Sequence, residues 1–159
     1  GSSGATIGHG LGATPAMIII KSTSINGADW QVFHKYMNNG TNPWNYSMYL
    51  KTRDAQFAYT GLNNTAPTST VFSLGSDNNA NGNGNNQVAY CWTPIAGFSQ
   101  FGSYTGNGST DGTFVYTGFR PAFVLVKRTD STGNWYIWDD KRNTYKPAKC
   151  DCQTKWSKP

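Results

Sequence analysis

Short apolar runs alternate along this chain with stretches rich in Asn, Gly, Pro and Thr. Residues 17–21 form a continuous apolar run, which predicts a strand buried on both faces, whereas residues 30–34 alternate between apolar and polar positions. Asn26-Gly27 between them is a strong signal for a hairpin that joins two adjacent strands. Further strands are predicted at residues 45–52, 69–75, 87–92, 98–106 and 113–119.

The first predicted hairpin recurs near the other end of the chain. TPAMIIIKS at residues 14–22 is similar to RPAFVLVKR at residues 120–128, and ADWQVFHK at residues 28–35 is similar to GNWYIWDDK at residues 133–141. The matched prolines are 106 residues apart and the matched tryptophans 105, so the repeat unit is about 105 residues long. A period of this length indicates a repeated domain or subdomain and not a solenoid rung.

The repeat divides the chain into three predicted parts. Residues 1–119 form one complete sandwich unit, residues 120–143 the opening hairpin of a second unit, and residues 144–159 a tail rich in Lys and Cys. The segment IGHGLGATP at residues 7–15 also parallels VYTGFRP at residues 115–121. The chain is therefore predicted to be cut from, or descended from, a tandem array.

The terminal hairpin has two predicted arrangements. It belongs either to a neighbouring unit in an array or to the first unit, where it completes the sheet beside its relative. We favour the second arrangement, because an isolated two-stranded hairpin is marginally stable in water.

The composition supports an all-β domain. The chain contains 18 Gly and 23 aromatic residues but no Glu, so the eight acidic residues are all Asp. This is poor material for helices, whereas the β-branched and aromatic residues suit a pleated, half-buried surface. We predict an antiparallel β-sandwich or jelly roll with little or no helix.

The net charge of +5 is confined to the last residues of the chain. From Lys141 onward there are six basic residues and one acidic residue, whereas residues 1–140 carry seven of each sign. A short Lys-rich terminus is more typical of a solvated end than of a phosphate-binding site. We therefore expect no nucleic-acid partner, and no apolar window is long enough for membrane insertion.

The three cysteines do not form a closed disulfide framework. Cys91 lies in an apolar run and is expected to be a small buried hydrophobe. Cys150 and Cys152 lack a neighbouring His, so a zinc site is disfavoured, although a disulfide from one of them stays open.

The residues quoted above, together with NNQVAYCWTPIAGFSQFGSYTGNGSTDG, resemble a repeated domain of virion structural proteins from marine tailed phages of the cyanophage type. The resemblance extends to about Asn143 and is most specific at residues 88–128. It implies a relative of concanavalin-like lectin sandwiches, a virion or tail-fibre role and contact with glycans, and it brings no catalytic residues. Beyond Asn143 the sequence departs from the family's pattern.

The sequence contains no convincing catalytic constellation. Asp139-Asp140 is the closest carboxylate pair, and its two side chains would point to opposite faces of a strand. His9 and His34 lie in no recognisable nucleophile motif. We expect no enzymatic activity and no cofactor.

The Asn-rich loop at residues 76–86 offers oxygen ligands for a hard cation. Asp77, Asn79 and Asn81 are weak calcium candidates, because calcium usually takes more than one carboxylate, and we favour a turn-forming loop. Asp77 and Asn79 are also predicted glycan contacts, since Asn amides both donate and accept hydrogen bonds.

Aromatic residues provide the other half of a predicted sugar site. Trp44, Tyr46 and Tyr49 lie in or beside the loop TNPWN and are predicted to be exposed. Arg53-Asp54 follows them and forms either a polar pair beside Tyr49 or an exposed ion pair. Three other tryptophans lie in apolar strands and are predicted to be core residues: Trp30, Trp92 and Trp135.

Two functions are compatible with this pattern. The first is a non-enzymatic virion structural or fibre protein that assembles with copies of itself on an extracellular particle. The alternative is a lectin-like adhesion domain that recognises a host surface glycan through its loops.

Overall fold

The computed structural model of the chain describes residues 1–141, so the tail predicted at residues 144–159, with Cys150 and Cys152, lies outside the described residues. Strands predominate within the described range. They are β1 (Ala5–Gly8), β2 (Met17–Ser22), β3 (Gln31–His34), β4 (Tyr46–Tyr49), β5 (Phe57–Ala58), β6 (Val71–Leu74), β7 (Gln87–Trp92), β8 (Phe123–Lys127) and β9 (Trp135–Asp139). The other elements are the helix α1 (Asn78–Asn81) and two 3-10 segments, Met37–Gly40 and Pro43–Asn45.

The centre of the fold is an antiparallel sheet with the strand order β5-β4-β3-β2-β7. β2 pairs with β3 on one side and with β7 on the other. Its residues Met17, Ile18, Ile19 and Ile20 are 9%, 0%, 8% and 1% exposed. The prediction of a strand buried on both faces is therefore confirmed.

Two cores lie on opposite faces of this sheet, because successive side chains of a strand point to opposite sides. The first core joins the β2–β3 side chains to β6, which pairs with β1 in a small second sheet, and contains Ile18, Ile20, Phe33, Trp44, Leu62, Phe72, Leu74 and Ala80. The second core contains Met17, Ile19, Val32, Met37 and Met48. The predicted all-β, antiparallel, sandwich-like fold with little helix is confirmed.

The second core is covered by the terminal hairpin β8–β9. Leu125 and Trp135 pack against it, and the Trp135 indole Nε1–H donates to the carbonyl oxygen of Tyr49 at 3.1 Å. Backbone bonds from Gly133 N to Arg53 O at 2.8 Å and from Gln56 N to Thr129 O at 2.9 Å fasten the hairpin loop to the body. The hairpin packs on the face of the central sheet as a separate two-stranded sheet, so the expectation that it lies beside its relative in one sheet was wrong.

The repeat extends to the pairing of the two hairpins. Ile18 faces Phe33 in the first hairpin, and Val124 faces Trp138 in the second. The other pairs follow the same offsets of 106 and 105 residues, namely Met17↔His34 with Phe123↔Asp139, Ile19↔Val32 with Leu125↔Ile137, and Ile20↔Gln31 with Val126↔Tyr136. The two copies therefore share their strand register as well as their sequence.

Two predicted strands do not form. Residues 98–106 and 113–119 are extended or irregular, and between β7 and β8 the described chain has one isolated bridge, Ile95 to Ser99. Phe98, Phe114 and Tyr116 are 75%, 85% and 78% exposed. These segments have strand-like composition but no neighbouring strand, and a strand requires a hydrogen-bonding neighbour.

Candidate functional site

A polar cleft of about 440 Å³ opens where the loop after β3 meets β5 and the start of α1. Its lining combines side-chain amides, hydroxyls and aromatic rings with a single carboxylate. The lining residues are Asn38, Asn42, Asn45, Tyr46, Ala58, Tyr59, Thr60, Asn64 and Asp77.

The cleft is surrounded by asparagines in left-handed backbone conformation. The non-glycine residues with positive φ among residues 1–141 are all asparagines: Asn38 (49°), Asn39 (54°), Asn42 (46°), Asn63 (54°) and Asn64 (50°). Three of them, Asn38, Asn42 and Asn64, line the cleft itself. Such conformations disfavour most side chains and collect at functional sites, so their clustering marks this cleft as the candidate site.

Three amides of the lining are available to a ligand. The side chains of Asn42, Asn45 and Asn64 make no hydrogen bond to any described part of the chain, whereas Asn38 Nδ2 donates to the carbonyl oxygen of Thr41 at 2.8 Å. An uncommitted amide offers two donor hydrogens and one acceptor oxygen. The three amides together can therefore bind a ligand that has several hydroxyl groups.

Tyr59 and Asp77 form the fixed polar pair of the cleft. The Tyr59 hydroxyl donates to Asp77 Oδ1, which also accepts the backbone N–H of Asn79 at 2.8 Å and so caps α1. Burial, with the bond to Asp77 as the next cause, raises the pKa of Tyr59 well above its usual range. The phenol therefore stays protonated, and its ring is held between Phe33 and Phe57, whose centroids lie 6.0 and 5.8 Å away.

The strain at Asn42 leads to a stability prediction. Asn42 has φ 46° and ψ 50° and is exposed, and its side chain makes no capping bond. Because glycine adopts this conformation without a steric cost, Asn42→Gly is expected to leave the free energy of unfolding unchanged within about 0.5 kcal/mol, whereas Asn42→Ala costs about 1 kcal/mol. Urea denaturation of the two variants measures the difference, and equal losses would contradict the strain.

Comparison with known families identifies the chain at the level of its family. A family model described as a domain of unknown function, DUF7483, matches residues 1–158. The chain belongs to the DUF7483 family. No curated protein and no solved structure matches this DUF7483 domain.

Two of the six residues predicted to bind glycan line the cleft of the DUF7483 domain. These are Tyr46, the first residue of β4, and Asp77, the N-cap of α1. The backbone N–H of Asn79 donates to the capping carboxylate of Asp77, and the ring centroids of Tyr49 and Phe57 lie 4.7 Å apart. Arg53 is exposed next to the terminal hairpin.

Trp44 is not the exposed sugar contact that its loop position predicts. It is 7% exposed and belongs to the first core. Pro43 begins the 3-10 segment Pro43–Asn45, and this turn directs the next side chain inward while Asn42 and Asn45 remain at the cleft. A loop composition cannot distinguish these two sides of a single turn, so the prediction of exposure was wrong.

Trp92 shows the opposite error. It was predicted to lie in the core, but it is 40% exposed on the edge strand β7. Tyr90 is 44% exposed beside it, and its ring lies 6.0 Å from Trp92 and 6.3 Å from Trp30, with planes within 25° of parallel. Trp30 and Trp135 are half-buried and pack against the second core, as predicted.

The three predicted calcium ligands, Asp77, Asn79 and Asn81, belong to the short helix α1 or to its N-cap. Asp77 serves as the helix cap, and Asn81 Nδ2 donates to the carbonyl oxygens of Gly75 at 2.6 Å and Ser2 at 3.1 Å. No group of three or more His, Cys, Asp or Glu side chains with metal-binding geometry occurs among residues 1–141.

Cys91 is half-buried against the first core with its thiol unpaired, and burial raises the pKa of that thiol.

Sequence reasoning missed most of the cleft of the DUF7483 domain. Asn38, Asn42, Asn45, Tyr59 and Asn64 were not singled out, because they lie in loops whose Asn content is high throughout. The paired asparagines Asn38-Asn39 and Asn63-Asn64 were the available signal, since Asn tolerates left-handed turns.

None of the helices among residues 1–141 has the length and apolar character needed to cross a membrane.

Proposed function

We propose that this domain binds a neutral carbohydrate in the asparagine-lined cleft and does not cleave it. The observation that carries the proposal is the set of three uncommitted amides, on Asn42, Asn45 and Asn64, in one cleft. Amides donate and accept hydrogen bonds, as sugar hydroxyls do. The cleft volume of about 440 Å³ lies within the usual range of ligand sites.

The charge of the lining selects the class of ligand. No Lys, Arg or His belongs to the described lining, and its one ionisable carboxyl group is Asp77. A phosphate or sulfate group would meet this negative charge without a compensating cation. A neutral sugar meets no such penalty, so unmodified glycan is the favoured ligand.

Binding without hydrolysis follows from the same lining. Glycoside hydrolysis usually needs two carboxylates on either side of the scissile bond. Within the described lining Asp77 is the one carboxylate, and its Oδ1 already accepts bonds from Tyr59 and Asn79. We therefore propose recognition as the activity of the cleft.

The binding proposal is tested by variants that keep the fold. Asn45→Ala and Asn64→Gly are each expected to weaken glycan binding about tenfold, since each removes one ligand hydrogen bond of about 1–1.5 kcal/mol. The measurement is a glycan array followed by isothermal titration of the strongest ligand. Asn83→Ala is the matched control, because Asn83 is exposed outside the cleft.

Two results would reject the cleft as the binding site. One is the absence of any glycan bound by the unmodified domain. The other is a glycan whose affinity is the same for Asn45→Ala, Asn64→Gly and the control Asn83→Ala. In that case the exposed rings of Tyr90 and Trp92 become the next surface to test.

We infer a second function, self-assembly as part of an extracellular virion or fibre. The supporting observation is the amount of apolar surface between β7 and β8, where Ile95, Phe98, Tyr104, Phe114 and Tyr116 are all more than half exposed. Soluble monomers rarely expose large contiguous apolar patches. The virion setting itself rests on the sequence resemblance, and light scattering on the purified chain tests assembly directly.

A further inference from the structure

The outward face of the terminal hairpin has the chemistry of a buried core. In the shared register, its residues Val124, Val126, Tyr136 and Trp138 correspond to Ile18, Ile20, Gln31 and Phe33 of the first hairpin. Those four residues of the first hairpin are all 1% exposed or less. In the second hairpin Val124 is 38% exposed and the other three are half-buried.

In the first unit this face is covered by β6. Phe72 and Leu74 of β6 belong to the first core with Ile18, Ile20 and Phe33, and both are largely buried. Among residues 1–141 no strand joins β8 or β9 at either outer edge. The second hairpin therefore has a face equivalent to the one that β6 covers in the first unit. Within residues 1–141 no strand equivalent to β6 covers it.

The strand that pairs with β6 also has a second copy. β1 holds β6 in the register Ile7↔Phe72 and Ala5↔Leu74. The sequence Ile-x-x-Gly-Leu from Ile7 corresponds to Val-x-x-Gly-Phe from Val115, and the glycines at the matched position, Gly10 and Gly118, have φ of 68° and 79°. Both glycines therefore have left-handed backbone conformation, and in this sequence match residues 113–116 correspond to β1.

This second β1 lacks a partner strand. Residues 113–116 belong to no strand of the described chain, and Phe114, Val115 and Tyr116 are 85%, 44% and 78% exposed. Unpaired backbone groups are a template for strand addition, as they are at the edge of a sheet. Residues 113–116 lack a strand to pair with, and the outward face of β8–β9 lacks a strand to cover it. In the first unit β6 has both of these roles.

We propose that residues 113–116 and the outward face of β8–β9 together form an acceptor site for a β6-type strand carried by a further repeat of this domain. The incoming strand is apolar at alternate positions, as in Val-Phe-Ser-Leu of β6. Backbone bonds to residues 113–116 supply affinity, and the two large side chains that face the hairpin supply specificity. This inference rests on the self-assembly proposed above and specifies how successive repeats join.

The chain's own β6 is not the occupant. It is paired with β1 over four residues, and Phe72 and Leu74 are 2% and 6% exposed in the first core. Moving it to the second site would open that core. A β6-type strand from outside the unit meets no such cost.

The experiment uses a fluorescent peptide of residues 69–75, STVFSLG, added to the full chain and followed by fluorescence anisotropy. Saturable binding is expected, and a control peptide with the Phe and Leu positions replaced by Ser is expected to bind about tenfold more weakly or worse. Val115→Pro removes a backbone N–H from the segment and Val124→Asp places a charge on the hairpin face, so each variant should abolish binding. Thermal unfolding of both variants verifies that the first unit is intact.

The outcomes separate this inference from the assembly proposal. Peptide binding that both variants abolish supports the acceptor site. If the chain assembles in light scattering but the peptide does not bind, or binds both variants equally, the acceptor site is overturned while self-assembly stands. A monomer that does not bind the peptide overturns both proposals.

Discussion

Trp44→Ala is expected to destabilise the domain by about 3–5 kcal/mol, a large fraction of the 5–15 kcal/mol that holds a typical domain folded. The reason is that Trp44 is 7% exposed in the first core, where it packs with side chains of β2, β3 and β6. Its removal leaves a cavity that the surrounding strands cannot close. Urea denaturation followed by circular dichroism measures the loss.

Trp92→Ala is the matched control for this result. It removes the same side chain from a site that is 40% exposed on the edge strand β7, so the expected loss is about 1 kcal/mol or less. Near-native stability of Trp44→Ala would show that its side chain does not support the core. Any loss of glycan binding by Trp44→Ala follows from unfolding, and binding by the cleft must be tested with the asparagine variants instead.

Lowering the pH from about 6.5 to about 4 is expected to remove up to about 3 kcal/mol of stability through His34. Burial, with the neighbouring charge of Lys35 as the second cause, lowers the pKa of His34 to about 4. The ring lies between Tyr36 and Phe101, with centroids at 5.9 and 6.3 Å, and its Nδ1 accepts the backbone N–H of Tyr36 at 3.2 Å. This environment favours the neutral imidazole.

The sign follows from which state binds the proton. Between pH 6.5 and about 4 the unfolded chain protonates its histidine while the folded chain does not, so stability falls as the pH falls. Urea titrations at several pH values are expected to show this slope in the unmodified chain and a smaller slope in His34→Gln. Lys35→Gln should reduce the loss in part, because it removes the second cause of the lowered pKa. An unchanged slope in His34→Gln would contradict the prediction.

Local pattern was sufficient for the hairpins and for their duplication. The apolar run of β2, the alternation in β3 and the intervening turn are contained in about 20 consecutive residues, so their pairing depends on neighbours in sequence. The same is true of β8 and β9, and the sequence offsets of the repeat reappear as one register in both hairpins. Period-two alternation specifies which side chains share a face, and together with the turn it sets the register of the hairpin.

The tertiary structure decided which side chains are buried and which segments pack together. Composition placed Trp44 on the surface and Trp92 in the core, and packing reversed both, because burial depends on what covers a residue and not on the residue alone. The cleft joins the loop at residues 38–45 to Tyr59, Asn64 and Asp77, which only the folded chain brings together. Residues 113–116 have the composition of a strand but no strand beside them, and pairing is a property of two segments that no single segment specifies.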